Sequence, residues 1–250
     1  SLTHGLKVVM ANNAEHRNPK LLDALIRKHG VDVMTVTPSL MKINYDNREP
    51  DTALANVKNM VFGGEPLPEK FVKDLKALAD DITVYNIYGP SEITILSNVQ
   101  NLNGEKEITV GPPILNTQMY ILDKNMKQIP IGVVGEIYIA GIQVGEGYIG
   151  KEEMTKQRFL KNPFGPGKIY KTGDIGRWTF DGKIQCLGRV DNQVKLRGLR
   201  IELGEIEDEM FTEEDESEFF DDENFCDEVL EQVRIEEEEV EAIYYETPPL

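Results

Sequence analysis

The sequence predicts a mixed α/β fold: a parallel α/β layer, then an antiparallel, barrel-like region, then an acidic tail. Three observations predict it. Up to about residue 104, apolar strand-like runs alternate with amphipathic helix-like runs, the pattern of strands that lie parallel with helices packed on them. Beyond that point the texture changes to short strands of alternating polarity separated by turns. Charge is also segregated: residues 208–250 carry 19 Asp and Glu against one base, Arg234, whereas the preceding 207 residues carry 25 acids and 26 bases.

The elements follow in order. Residues 19–30 predict a helix, because Leu21, Leu22, Leu25 and Ile26 recur at helical spacing and Gly30 stands at the C-terminal cap position. "VDVMTVTPS" predicts a buried strand ended by Pro38, and "VKNMVFGGE" a short strand closing on two glycines. "PEKFVKDLKALA" predicts a second helix with Pro68 at its first turn, and "DITVYNIYG" a third strand. In the second region "TQMYILD", "GEIYIAG" and "GKIQCLGR" read as strands, and "NQVKLRGLRIEL" as a two-stranded hairpin. From 208 onward the periodicity fails, apart from a short amphipathic stretch through Phe225, Val229, Leu230 and Val233.

Composition excludes several classes. The first 207 residues are nearly neutral and the tail repels a phosphate backbone, which argues against nucleic acid. No apolar run is long enough to cross a membrane and no cleavable signal is present, so no membrane association is expected. Two cysteines, Cys186 and Cys226, make no disulfide framework, and a reducing cytoplasm is the expected location. The chain begins with Ser, as a processed or excised piece does.

The chemistry concentrates in "NIYGPSEITI", residues 86–95. A strand runs into a Gly-Pro turn followed by Ser91 and Glu92. The carboxyl end of a strand in an α/β sheet is where ligands usually sit. The hydroxyl can donate to a phosphate oxygen, Glu92 can hold Mg²⁺ together with phosphates, and Tyr88 can stack on a purine. The same residues also read as a surface turn with a solvated Ser-Glu pair. Four further stretches change the balance: "VFGGEPLPEKF", "GEIYIAGIQVGEGYIG", "YKTGD" and "GRVDNQVKLRGLRIELGEIE" follow in one order.

Together these stretches resemble the adenylate-forming superfamily, most closely the amino-acid adenylation domains of nonribosomal peptide synthetases, over roughly residues 1–207. "LRIELGEIE", where acyl-CoA synthetases usually carry a proline, favours the peptide-synthetase branch. The resemblance implies an incomplete large subdomain, with an α/β part over 1–104 and a β-rich part over 105–190. The hinge and first hairpin of the small subdomain occupy 191–207, and the acidic tail of 208–250 is unlike the family. It implies ATP or AMP and Mg²⁺ as cofactors. Tyr88 stacks on adenine, with Asn86 and Gly64 in the same slot. Ser91 meets the α-phosphate, Glu92 holds Mg²⁺, Asp174 accepts from the ribose hydroxyls, and Arg189 faces ribose and phosphate. Cys186 replaces an aromatic common two positions before Gly188, and Asp191 is the hinge. Thr35, Val61, Gly63, Ile87, Ile95 and Leu96 match the side-chain pocket, whose aliphatic character favours an apolar or aromatic amino acid. The same six also read as core residues of the strands. The implied partners are that amino acid and a phosphopantetheinyl carrier domain.

The resemblance also implies parts that these residues do not contain. A glycine-rich phosphate loop and an acidic residue for the substrate's amino group belong upstream, and a catalytic lysine belongs downstream. No lysine follows Lys195. The 250 residues are therefore expected to be inactive, or nearly so, by themselves. One alternative is a non-catalytic interaction protein whose acidic-aromatic tail (Phe219, Phe220, Phe225, Tyr244, Tyr245) docks on a basic protein groove. Another is an acyl-CoA or aryl-acid ligase.

Overall fold

The computed structural model describes residues 5–79, 81–190, 193–196 and 199–202. Asp191 and the acidic tail, with its short amphipathic stretch, lie outside the described residues. The chain divides into two compact units, Ser1–Tyr88 with Asn98–Gly111, and Gly89–Ser97 with Pro112–Leu250.

The first unit is an α/β layer. Asn12 caps α1 (Asn13–Arg17) in a reciprocal arrangement with Glu15, and Asn18 caps α2 (Pro19–His29), which opens on a proline. Gly30 ends α2 in the left-handed conformation that its cap position predicts. The sheet holds β1 (Val33–Val36), β2 (Asn59–Phe62), β3 (Thr83–Tyr88) and β4 (Asn98–Asn101), in that spatial order. The first three are parallel and β4 runs antiparallel to β3. Among the described residues β1 is an edge strand paired with β2, and with Val33 53% exposed the buried strand expected there is only partly covered. Pro38, which reads as a strand stop, also opens helix α3 (Pro38–Asp46).

That helix is hard to read from its sequence. Its buried face includes Asn44, whose amide donates to the carbonyls of His16 and Leu40 instead of meeting apolar neighbours. The core gathers Leu22 and Ile26 of α2, Met41 of α3, Met60 and Phe62 of β2, and Val84 of β3. Phe71, Val72 and Leu75 of α4 (Glu69–Lys76) complete it.

The second unit is antiparallel. β5 (Thr117–Leu122), β6 (Gly135–Gly141), β8 (Lys168–Trp178) and β7 (Phe159–Lys161) lie side by side in that order, and β9 (Ile184–Arg189) also pairs with β8. β7 takes residues 168–170 of β8 and β9 takes 174–178. Ile137, Tyr138, Ile139 and Ala140 are consecutive and all buried, so β6 is covered on both faces. Helix α5 (Glu152–Arg158) buries no residue, which is why no apolar stripe announces it; acids begin it and bases end it, as the helix dipole favours. β10 (Gln193–Leu196) and β11 (Leu199–Glu202) form the predicted hairpin ladder.

Asp23 ties α2 to the turn before β2. Its carboxylate accepts from Thr52 Oγ1 at 2.9 Å, from the Ala53 amide and from Arg27 Nε at 2.8 Å. Partial burial opposes the charge, but the Ala53 amide, Arg27 and Thr52 outweigh it and hold the carboxyl below its ordinary 3.8. A lowered folded value stabilises the fold above the unfolded value and loses that stabilisation as pH falls through the folded one. Asp23→Ala is expected to cost about 1–3 kcal/mol at neutral pH. The difference from wild type should shrink below pH 3.8, as read from urea-unfolding midpoints along a pH series.

Candidate nucleotide and cation site

Parallel register sorts the sheet residues by face. Thr35 pairs with Val61 and Val61 with Tyr85, while the alternate Met60 and Phe62 point into the core. Thr35 and Val61 therefore lie on the opposite face, which Gly63 and Ile87 continue two residues further along. None of Thr35, Val61, Gly63, Ile87, Ile95 and Leu96 is buried, so they are not simply strand core.

A Cβ on Gly63 would sit 2.6 Å from Ile87 Cγ1, so only a glycine lets the two strand ends close up. Gly64 follows with φ +87°, turning the chain into Glu65. The Glu65 carboxylate accepts from the Ser39 amide at 2.9 Å and the Ser39 hydroxyl at 2.8 Å, which fixes the turn to the start of α3. Asn86 is buried and its amide donates to the Thr109 carbonyl at 2.7 Å, so it braces the end of β3. Tyr88 is the last residue of β3, half-buried and opposite Asn98.

In the second unit, Ser91 and Glu92 begin a single 3-10 turn, Ser91 exposed and Glu92 buried. Thr94 and Ile95 follow with φ 62° and 76°. A left-handed β-branched residue is strained, and such strain gathers at functional sites. Thr94 Oγ1 anchors the loop by donating to the Gln143 carbonyl at 2.9 Å.

Tyr148 OH donates to Glu92 Oε1 at 2.6 Å and lies 3.3 Å from Tyr170 OH. A carboxylate can only accept, so the Tyr148 proton points to Glu92 and its oxygen is left to accept from Tyr170. Burial, then the bond to Tyr148 and the charge of Glu92, push the Tyr170 phenol far above its ordinary value, and it stays protonated.

"YKTGD" occupies a bulge. Glu136 pairs with Ile175 and Tyr138 with Lys171, so one β6 residue faces three of β8. Thr172 Oγ1 fills the gap by donating to the Ile137 carbonyl at 2.7 Å, and it accepts from the Asp174 amide at 2.9 Å. Bulges re-aim side chains, and here Asp174 is turned to Arg189 on β9. Arg189 Nη1 lies 2.7 Å from Asp174 Oδ1 and Nη2 donates to the Thr172 carbonyl at 3.3 Å; the two side chains are 12% and 7% exposed. Cys186 is exposed on β9, opposite Gly176.

The structure thus joins Asp174 to Arg189, sets Gly63 against Ile87, and places Glu92 under Tyr148. Sequence reading passed over Tyr148, Tyr170, Glu65 and Thr172, although "GEGY" and "YKTGD" contain three of them. Among the described residues no three His, Cys, Asp or Glu side chains cluster to cage a metal. Mg²⁺ needs no such cage, since one or two carboxylates with substrate phosphates suffice. A buried carboxylate oriented by a neutral phenol fits that donor chemistry. No described helix is long and apolar enough to cross a membrane.

The family profile "AMP-binding enzyme" matches residues 1–149. This chain belongs to the AMP-binding enzyme family. It is 39% identical over 212 residues to tyrocidine synthase 3 of Brevibacillus parabrevis, covering 84% of this chain and 3% of that protein. It is 40% identical over 205 residues to gramicidin S synthase 2 of Aneurinibacillus migulanus, covering 81% of this chain and 5% of that one. The chain therefore spans only a small part of these relatives' length. Among solved structures, a nonribosomal peptide synthetase protein with adenylation and PCP domains superposes with a TM-score of 0.72 at 28% identity, over 79% of this chain and 35% of that one. A four-domain nonribosomal peptide synthetase bound to AMP and glycine gives 0.66 at 32%, over 78% and 15%. The mixed α/β fold, with a largely parallel sheet and an antiparallel one, matches the adenylation-domain structure among these.

Removing one member of a buried ion pair strands the other. Arg189→Met is expected to destabilise the chain by about 3–5 kcal/mol, read from chemical unfolding, whereas changing both members to apolar residues should recover part of that loss.

Proposed function

We propose that this chain is the adenosine-binding part of an amino-acid-activating ligase. The reaction class is attack of a substrate carboxylate on the α-phosphorus of ATP. The new bond joins carboxylate oxygen to phosphorus, and the bond to the leaving pyrophosphate breaks. The observation that carries the reading is the order of groups at the end of β3 in a member of the AMP-binding enzyme family. An aromatic ring, a turn, an exposed hydroxyl and a buried oriented carboxylate follow one another there.

In this reading residues 61–65, 86–92, 170–174 and 188–191 carry the groups that recognise adenosine monophosphate. Tyr88 stacks on adenine beside Gly64, with Asn86 bracing the slot. Ser91 donates to the α-phosphate. Asp174 accepts from the ribose hydroxyls, and Arg189 orients it and faces ribose and phosphate. Glu92 would hold Mg²⁺, which would supply charge neutralisation for the leaving group. Thr35, Val61, Gly63, Ile87, Ile95 and Leu96 are assigned to the amino-acid side, and the aliphatic character of Val61, Ile87, Ile95 and Leu96 favours an apolar or aromatic side chain. Asp191 serves as the hinge that exchanges the adenylation pose for transfer to a phosphopantetheine carrier.

Titration with AMP tests the nucleotide reading. Tyr88→Ala should weaken binding about tenfold through lost stacking, and Asp174→Asn should weaken it through the ribose. Wild-type affinity in both variants would remove the reading. ATP–pyrophosphate exchange over a panel of apolar amino acids should be absent or very weak for these 250 residues, because groups that stabilise developing charge are each worth about 10²–10³ in rate. Robust exchange would overturn that inactivity.

A further inference from the structure

The loop before α5 carries a group that the proposed chemistry has not used. Gly145 donates its amide to the Glu92 carbonyl at 2.8 Å, and a Cβ on Gly145 would come within 3.0 Å of that oxygen. The loop is pressed against the 3-10 turn there. At its other end the Tyr148 amide donates to Thr155 Oγ1 at 2.8 Å, and that hydroxyl lies 2.9 Å from the Lys151 carbonyl. Gly147 passes so close to Thr155 that a Cβ would lie 2.3 Å from Cγ2. Between these two clamps the Tyr148 ring packs edge-on to Phe159 at 5.4 Å, and Phe159 lies 5.0 Å from Tyr170. Backbone, ring and hydroxyl are each held, and the outcome is one short bond from a phenol to Glu92.

We propose that Tyr148, backed by Tyr170, is a positioning residue that fixes the Glu92 carboxylate for the divalent cation. The inference rests on the reading of Glu92 as the cation's carboxylate. A phenol is suited to this task. It donates one proton and brings no charge, so it takes up one carboxylate direction while leaving the negative charge for the cation. A lysine in its place would neutralise the carboxylate. Tyr170 backs the arrangement from behind, beside both the Tyr148 hydroxyl and the Glu92 charge.

The experiment uses Mn²⁺ as probe, titrated into the 250-residue chain with saturating AMP and read from water-proton relaxation. Tyr148→Phe keeps the ring and removes the hydroxyl. It should weaken Mn²⁺ about tenfold, as loss of an outer-shell partner does, with AMP affinity in the absence of metal unchanged. Tyr170→Phe should give a smaller loss in the same direction, and it serves as the second variant if Tyr148→Phe does not fold. Leu122→Ala, in the antiparallel core away from this clamp, should lower the melting temperature and leave Mn²⁺ affinity alone, which separates positioning from packing. If Glu92→Gln abolishes Mn²⁺ binding while Tyr148→Phe and Tyr170→Phe stay within about twofold of wild type, the positioning role is overturned and the Glu92 reading stands. If Glu92→Gln itself binds Mn²⁺ like wild type, both fall.

Discussion

The parallel register of three short strands is the constraint on which the first unit depends. Once Thr35, Val61 and Tyr85 share a row, the alternation of the pleat decides everything on either side of it. Met60 and Phe62 must go to the helices, and Gly63 and Ile87 must continue the opposite face. A slip by one residue would exchange the two sets and put the glycine turn where the core belongs. Glu65 then locks the outcome, because its bonds to Ser39 hold the turn after β2 against the beginning of α3.

The second unit solves a different problem. Its ladder must be broken where Asp174 lies, and a broken ladder leaves polar groups in need of partners. Thr172 meets the need by bonding backward to Ile137 and receiving the Asp174 amide. Arg189 completes the closure from the neighbouring strand. A serine could bond in the same way, but the β-branched threonine also suits an extended strand. The four letters "KTGD" thus encode an interruption of regular pairing together with its repair.

Much of the architecture was legible because apolar periodicity is a strong signal. α2, α4, β2, β3, β5 and β6 all announce themselves, and β6 matches its expected span of Gly135–Gly141. Several of the elements that escaped, β8 and β4 apart, lack that signal. α3 buries Asn44, α5 buries nothing, and β7 is three residues long. Of the candidate site, the ordered motifs were legible and their connections were not. No spacing rule relates Glu92 to Tyr148 across 56 positions, or Ser39 to Glu65 across 26. Such pairs exist only because folding brings distant loops together, and a single sequence carries no record of that.

The consecutive left-handed residues Thr94 and Ile95 have a consequence for anyone who reshapes the proposed amino-acid pocket. Ile95 is 72% exposed and contributes its side chain from a main chain held in an unfavourable conformation. Replacing it with a smaller residue is then never a change of cavity size alone. Glycine would enlarge the opening and relax the loop at once, trading discrimination for looseness. A bulkier branched side chain would narrow the opening and raise the tension in the same peptide. Volume and rigidity are coupled at this position, so libraries that vary Ile95 sample two properties under one codon.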